Sequence, residues 1–282
     1  MSNPRLNQKI AFFFLFLATL FIIVPVGVVL FIIIQKGLPA ISWQFLTDMP
    51  RQGMRAGGIF PAIVGTVYLV TGAIAFALPI GVLAAVYLSE YARDNLLNRL
   101  VKLAIVNLSG VPSVVYGLFG LALFVVFCRF GASILSGSLT LGIMILPIII
   151  TASREALESV PETFREVSLS LGASKWQTIR HIVLPNAIPG IITGTVLGLG
   201  RAAGETAPIL FTVAAFYLPR LPQSIFDQAM ALPYHLYVIS TQVPNVSEGI
   251  RYGTALVLLA LVLVMNLTAI IIRYNFRKKK KW

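Results

Sequence analysis

The sequence predicts an all-α polytopic membrane protein with six transmembrane helices, on three observations. Of its 282 residues, 57% are hydrophobic and only 11% charged, with a mean hydropathy of +0.88. A soluble domain is about 45–50% apolar and about 25% charged, so this chain has too little polar surface for water. Apolar runs of bilayer length recur along it, and the basic residues stand between them. A net charge of +12 and a pI near 10.1 would suggest nucleic acid if the cations formed one patch. Spread between apolar runs, they read as membrane flanks.

A spanning helix needs about 20 mostly apolar residues. Six stretches are read as spans: 10–34, 60–88, 100–127, 139–151, 187–213 and 252–273. The first follows Arg5 and Lys9 like a signal peptide, but it is too long and lacks a small-residue cleavage site, so an uncleaved helix is expected. The fourth is short and is expected to continue through 152–158. Two long connections, 35–59 and 214–251, are either surface for an external partner or passive connectors. Pro219, Pro222, Pro233 and Pro244 in the second argue for short irregular segments instead of another span.

Lysine and arginine counts set the expected orientation. Fifteen of the 22 lie on one side: Arg5, Lys9, Arg93, Arg99, Lys102, Arg154, Arg165, Lys175, Arg180, Arg273, Arg277, Lys278, Lys279, Lys280 and Lys281. Six lie on the other, namely Lys36, Arg51, Arg55, Arg129, Arg220 and Arg251, and Arg201 falls within a span. Both termini are therefore expected to be cytoplasmic. The final Lys run and Trp282 suit anionic lipid and the interface, or serve as a plain stop-transfer flank.

Between the fourth and fifth spans, Ser159-x-x-Glu162 has the form of a capping box, with Pro161 in the first turn. Val160, Phe164, Val167 and Leu171 follow as one helical stripe. Gly172 is expected to end that helix. A second capping box, Ser174-x-x-Gln177, opens a helix bearing Trp176, Ile179 and Val183, which Pro185 is expected to end. Two short amphipathic helices thus meet at a glycine, as a partner-docking element or as an interfacial structural loop.

The fifth span holds the most costly residues of the chain, Arg201 and Glu205. An arginine at the bilayer centre costs at least about 2.5 kcal/mol. At about 100° per residue, both share a face with Gly190, Gly194 and Gly198, a ridge suited to close helix approach. That face is expected to meet protein or a central path, with a kink or break near Pro208. Arg201 either helps an anion cross, with Glu205 holding or competing for its guanidinium, or the pair only fixes packing. In the third span, Pro112, Tyr116, Gly117 and Gly120 suggest a kinked helix, with Ser113 and Tyr116 available to a polar path.

Other chemistry is not expected. Cys128 is the only cysteine, which leaves no intrachain disulfide, and no zinc spacing occurs. His181 and His235 are too far apart in sequence for a helical metal pair; the first reads as a surface residue and the second as a loop residue. Glu155, Glu158, Glu162 and Glu166 read as solvated faces and as ion partners for Arg154 and Arg165. No nucleophile–base constellation and no G-x-x-x-x-G-K-[ST] loop is present, so neither catalysis nor P-loop ATP hydrolysis is expected of this chain.

Three sets of residues carry a resemblance. Glu166-Val167-Ser168, three residues, Gly172, nine residues and Ile182-Val183-Leu184-Pro185 match the spacing of the docking motif of ABC importer permeases, with Val and Ser where that motif has alanines. The string Gly-Arg-Ala-Ala-Gly-Glu-Thr-Ala-Pro-Ile at 200–209 resembles the fifth-span signature of the phosphate-specific ABC importer permeases. Val-Pro-Ser-Val-Val-Tyr-Gly-Leu-Phe-Gly at 111–120 and Gly-Gly-Ile-Phe-Pro-Ala-Ile-Val-Gly-Thr at 57–66 resemble motifs of the same family, and six spans, the Gly-Glu-Thr-Ala-Pro form and the Ala-Leu-Pro-Tyr-His-Leu-Tyr stretch at 231–237 favour the PstA branch over the PstC branch.

The resemblance implies a type I ABC importer permease fold with cytoplasmic coupling helices in a bacterial or archaeal inner membrane. It divides the chain into a tail and first helix (1–34), an extracytoplasmic segment (35–59), a permease domain (60–273) containing the coupling loop (153–186), and a basic tail (274–282). It implies Arg201, Glu205, Ser113 and Tyr116 on the substrate pathway, and Glu166, Gly172, Ala173, Ile182, Leu184 and Pro185 at an ATPase. The implied partners are a PstC-like second permease, two copies of a PstB-like ATPase that carries ATP and Mg, a PstS-like external phosphate-binding protein and membrane lipid. No cofactor is implied on this chain. A permease for another oxyanion, or an ion-coupled secondary anion carrier, are the competing readings.

Overall fold

The computed structural model describes residues 4–278. The final lysines from Lys279 onward and Trp282, expected as a lipid anchor, lie outside the described residues.

Helix α1 (Pro4–Gly37) is apolar on every side and packs on the last helix near its own end. A Cβ on Gly37 would lie 2.6 Å from the Tyr252 carbonyl oxygen, so the glycine permits that contact. The connection that follows is built, not slack. It holds α2 (Trp43–Thr47), whose cap Ser42 accepts a 3.1 Å bond from Phe45 N. A two-strand ladder comes next, β1 (Pro50–Arg51) against β2 (Ala56–Gly57). Phe45, Met54 and Ile59 sink from this segment into the core.

Helix α3 (Phe60–Val86) continues as a π-turn over Tyr87–Tyr91. The expected third span is then broken. α4 (Leu96–Ser109) and α5 (Ser113–Gly120), the latter extended by a π-helical stretch Leu121–Phe127, meet at 102°. Pro112 lacks an N–H and pushes Val111 out of the helical region, so 100–127 is not one straight helix.

The fourth span is a single helix, α6 (Ile134–Glu158), starting before the expected 139 because Ser133 caps it, accepting from Ser136 N at 3.2 Å. Its next free donors, Ile134 N and Leu135 N, are met by the carbonyls of Asp227 and Ile225, both at 2.9 Å. It runs through 152–158 as expected.

Helix α7 (Glu162–Ser170) begins at Pro161, and the Ser159 capping box does not form. Ser159 instead closes α6, its hydroxyl bonded to the Ala156 carbonyl at 2.8 Å. Gly172 does end α7, at φ +84°, with Gly172 N on Leu169 O and Ala173 N on Ser168 O. The Ser174–Gln177 capping box forms and starts α8 (Lys175–Thr178).

Pro185 does not stop the chain. A π-turn over Ile179–Val183 shifts the Leu184 N–H onto the Ile179 carbonyl, and the helix passes the proline into α9 (Leu184–Gly204), one 30-residue run over Lys175–Gly204. The break falls at Glu205–Thr206, ahead of Pro208, before α10 (Ala207–Thr212). A buried helix α11 (Leu232–Thr241) and the last span α12 (Glu248–Lys278) complete the chain. Among the described residues, five helices are long and apolar enough to cross a membrane, six with the bent pair taken as one.

Helix α6 is the axis of the fold. Leu141, Met144, Ile145 and Ile149 are at most 1% exposed between α3 and α9. Small residues bring the three helices together: Gly72 faces Ser138, Gly142 faces the Phe76 ring, and Gly194 faces Ala152. The Gly190, Gly194 and Gly198 ridge therefore meets protein, as expected. A Cβ on Gly194 would lie 2.6 Å from the Ala152 Cβ, whereas Gly27 of α1 has nothing within 4 Å. Gly194→Val is expected to destabilise the bundle by about 1–3 kcal/mol through overpacking, read as a lowered unfolding midpoint in detergent. Gly27→Ala leaves the midpoint in place.

Candidate functional site

Two interrupted helices meet at one place. Where α9 ends, Glu205 turns to extended backbone (ψ 137°), so it does not continue the helical face on which the wheel set it. The pair still forms: Arg201 Nε lies 3.5 Å from Glu205 Oε1, with the two side chains 30% and 19% exposed. Arg201 stands in the last turn of α9, where the free carbonyls of a helix end favour a cation. Its charge is thus offset twice, by the helix end and by a carboxylate that the break folds back toward it.

The second interrupted helix lies against the first. Gly117 of α5 permits the approach of α10, since a Cβ there would sit 3.0 Å from the Ala207 carbonyl and 2.8 Å from the Phe211 ring. One residue earlier, Tyr116 is 4% exposed, and its hydroxyl donates across the 102° bend to the Leu108 carbonyl at 2.8 Å. The packing of α10 on α5 therefore sets the break at Arg201 and Glu205 beside the helix that carries Tyr116, while Ser113 sits half-exposed in the first turn of α5.

Asn266 was missed in the sequence. It abuts Gly200 from α12, its Nδ2 about 3.4 Å from where a Cβ would stand, and its buried Oδ1 has no hydrogen-bond partner. A lone amide in the apolar run 252–273 was the available signal.

The hairpin of α7 and α8 forms a separate surface. Its inner side buries Val160, Ile179 and Val183 against Ala85 and Val86 of α3, and a buried 2.8 Å bond joins Ser168 to Thr178. Its outer side exposes Val167, Leu171 and Trp176 beside Glu166 and Gly172, so most of the expected apolar stripe is uncovered. Ala173, Ile182 and Leu184 are half-buried and Pro185 is exposed. The expected ion pairs form, Arg154 with Glu158 at 3.6 Å and Arg165 with Glu162 at 3.5 Å. An unforeseen one joins Arg165 to Glu90 at 2.8 Å. His181 lies at the surface as expected. No cluster of metal-ligating side chains occurs among the described residues.

The profile of the family described as "Binding-protein-dependent transport system inner membrane component" matches residues 77–282. The chain is 35% identical over 282 residues to the "Probable ABC transporter permease protein YqgI" of Bacillus subtilis, covering 95% of each. It is 32% identical over 282 residues to the "Phosphate transport system permease protein PstA 1" of Mycobacterium tuberculosis, covering 98% of this chain and 91% of that one. Among solved structures, a chain of a bacterial alginate ABC transporter in complex with an alginate-bound periplasmic protein superposes with a TM-score of 0.69, at 15% identity and 93% coverage of each chain.

His235, expected in a loop, belongs instead to α11, which is not one of the spans. It is 2% exposed with neither ring nitrogen bonded. Burial pushes its pKa down from 6.5 to about 4. The unfolded chain then binds the extra proton between those values, so stability rises with pH across that window and is lost as pH falls through it. The unfolding midpoint in detergent is expected to be level above pH 6.5 and to drop toward pH 4. His235→Leu removes up to about 3 kcal/mol of that pH dependence.

Proposed function

This chain belongs to the family of binding-protein-dependent transport system inner membrane components, and we propose that it is the permease subunit of an ATP-driven phosphate importer. The observation that carries this reading is the cation Arg201 at the break between α9 and α10. It is paired with Glu205, and α10, which follows the break, packs on α5, the interrupted helix that carries the Tyr116 bend. A guanidinium offers paired donors that fit the oxygens of a phosphate. With Glu205 only 3.5 Å away, an arriving anion must compete with a carboxylate already in place, which lets the cation release the substrate again. Ser113 and Tyr116 supply hydroxyls along the same path. The phosphate permeases among the relatives support the choice of anion.

In this reading the chain forms half of the pathway and is not itself an enzyme. The permease domain, residues 60–273, pairs with a second homologous permease. The hairpin end is cytoplasmic, as are both termini, in keeping with the excess of Lys and Arg on that side. The exposed face around Glu166, Gly172 and Ala173, with Ile182, Leu184 and Pro185 beneath, docks on a cytoplasmic ATPase. Two copies of that ATPase bind ATP and Mg, and their closure drives the hairpins together. Outside, the built segment 35–59 and the long connection 214–251 receive a phosphate-binding protein.

The reading is tested by ATP-dependent uptake of labelled phosphate in proteoliposomes holding the whole complex, competed with sulfate, molybdate and phosphonate. Unlabelled phosphate is expected to compete at the lowest concentration; a stronger sulfate or molybdate competitor would reassign the substrate. Arg201→Gln is expected to lower uptake at least about 100-fold, the cost of losing a charge-assisted contact in a dry site. The variant still co-purifies with the partner permease and ATPase. Normal uptake in Arg201→Gln would remove Arg201 from the pathway.

A further inference from the structure

The importer reading requires motion at the hairpin to reach the spans, and the residues that carry it are not in the docking motif. Arg165, on α7, is 12% exposed and bonds at once to the end of α3, to α6 and to the connection between α6 and α7. It grips Glu90 with two bonds, from Nη2 to Oε1 at 2.8 Å and from Nε to Oε2 at 3.3 Å. It also donates to the Leu157 carbonyl at 2.9 Å and the Val160 carbonyl at 2.7 Å, closing the end of α6. Glu90 is only 7% exposed, and Ser89 donates to it at 3.2 Å. It lies in the π-turn Tyr87–Tyr91, the last turn of the 32-residue helical rod Phe60–Tyr91.

A second tie runs in parallel. Lys175 of α8 sets its ammonium 4.9 Å from the centre of the Tyr91 ring. With Ser168 bonded to Thr178 between α7 and α8, the hairpin is one body held to the end of α3 by both of its helices. Beside the joint lies a cleft of about 380 Å³ bordered by Glu90, Glu158, Glu162, Arg165 and Lys175.

We propose that Arg165 and Glu90 are the positioning pair through which the hairpin moves α3, a joint that stays closed through the transport cycle and turns ATPase closure into tilt of the rod. A bidentate pair fixes orientation as well as distance, so it transmits rotation where a single contact would pivot. Its low exposure makes opening costly, because either partner left alone is a poorly solvated charge. This proposal rests on the importer reading.

The test uses the complete complex in proteoliposomes and reads phosphate imported per ATP hydrolysed. Glu90→Gln and Arg165→Lys are expected to assemble and hydrolyse ATP while that ratio falls at least 10-fold. A ratio equal to that of the unsubstituted complex overturns the proposal. Because Arg165 also closes α6, a second measurement separates coupling from folding. In a Cys128→Ser background, Glu90→Cys with Arg165→Cys is expected to couple poorly, and a bifunctional thiol cross-linker is expected to restore the ratio at least fivefold. Cross-linking that leaves the ratio unchanged or lowers it further overturns the closed joint. If the unsubstituted complex shows no ATP-driven phosphate uptake, the importer reading itself fails, a result distinct from any in the variants.

Discussion

Lipid tails are as apolar as leucine, so nothing comparable to the hydrophobic effect in water presses membrane helices together. Close backbone approach has to supply the cohesion, and here it does so at α6. Gly142 and Ser138 admit α3, and Ala152 and Ala156 admit α9 through Gly194 and Gly190. The α7–α8 hairpin and the broken ends at Arg201 both inherit their positions from that three-helix contact. Had the ridge carried larger side chains, α9 would stand off α6 and carry the break at its end away with it.

Interruptions of the helices are placed on top of this rigid axis, and they come in two kinds. The π-turns at Tyr87–Tyr91 and Ile179–Val183 widen a helix without ending it, which lets α9 pass Pro185 and lets α3 present Glu90. Full breaks at 110–112 and 205–206 free backbone groups that lipid cannot satisfy. The chain answers locally at the first of them, where the Tyr116 hydroxyl bonds the Leu108 carbonyl. A tyrosine that spans its own helix bend closes that polar gap where α5 packs on α10.

Much of this was legible in the sequence because bilayer thickness and positive flanks are composition-level signals. The spans, the glycine ridge, the Gly172 turn and the Ser174 capping box needed only local pattern. What failed was local pattern in competition with a neighbour. Ser159 was read as opening a helix, yet it closes α6, since Pro161 already presets the start of α7. Pro185 was read as a stop, yet a π-turn absorbs it. Glu205 was placed on a helical wheel, yet the helix had ended one residue earlier, and the expected pairing with Arg201 survived for a different geometric reason. His235 looked like a loop residue among prolines until α11 buried it. The Arg165–Glu90 contact joins residues 75 apart in sequence, and no periodicity within either segment points to the other.

The first helix has a consequence of another kind. Its apolar segment, Ala11–Ala40, is uncovered over most of its length, and its attachments gather at one end, where Lys36 meets Glu248 at 2.9 Å and Gly37 meets the Tyr252 backbone. Thirty helical residues at about 1.5 Å each reach about 45 Å, against a hydrocarbon core of about 30 Å. Such a mismatch is relieved by leaning, and a rod fastened at one tip leans by swinging the other. The first helix can therefore accommodate membranes of different thickness by changing its own slope, sparing the bundle behind it from having to shift in depth.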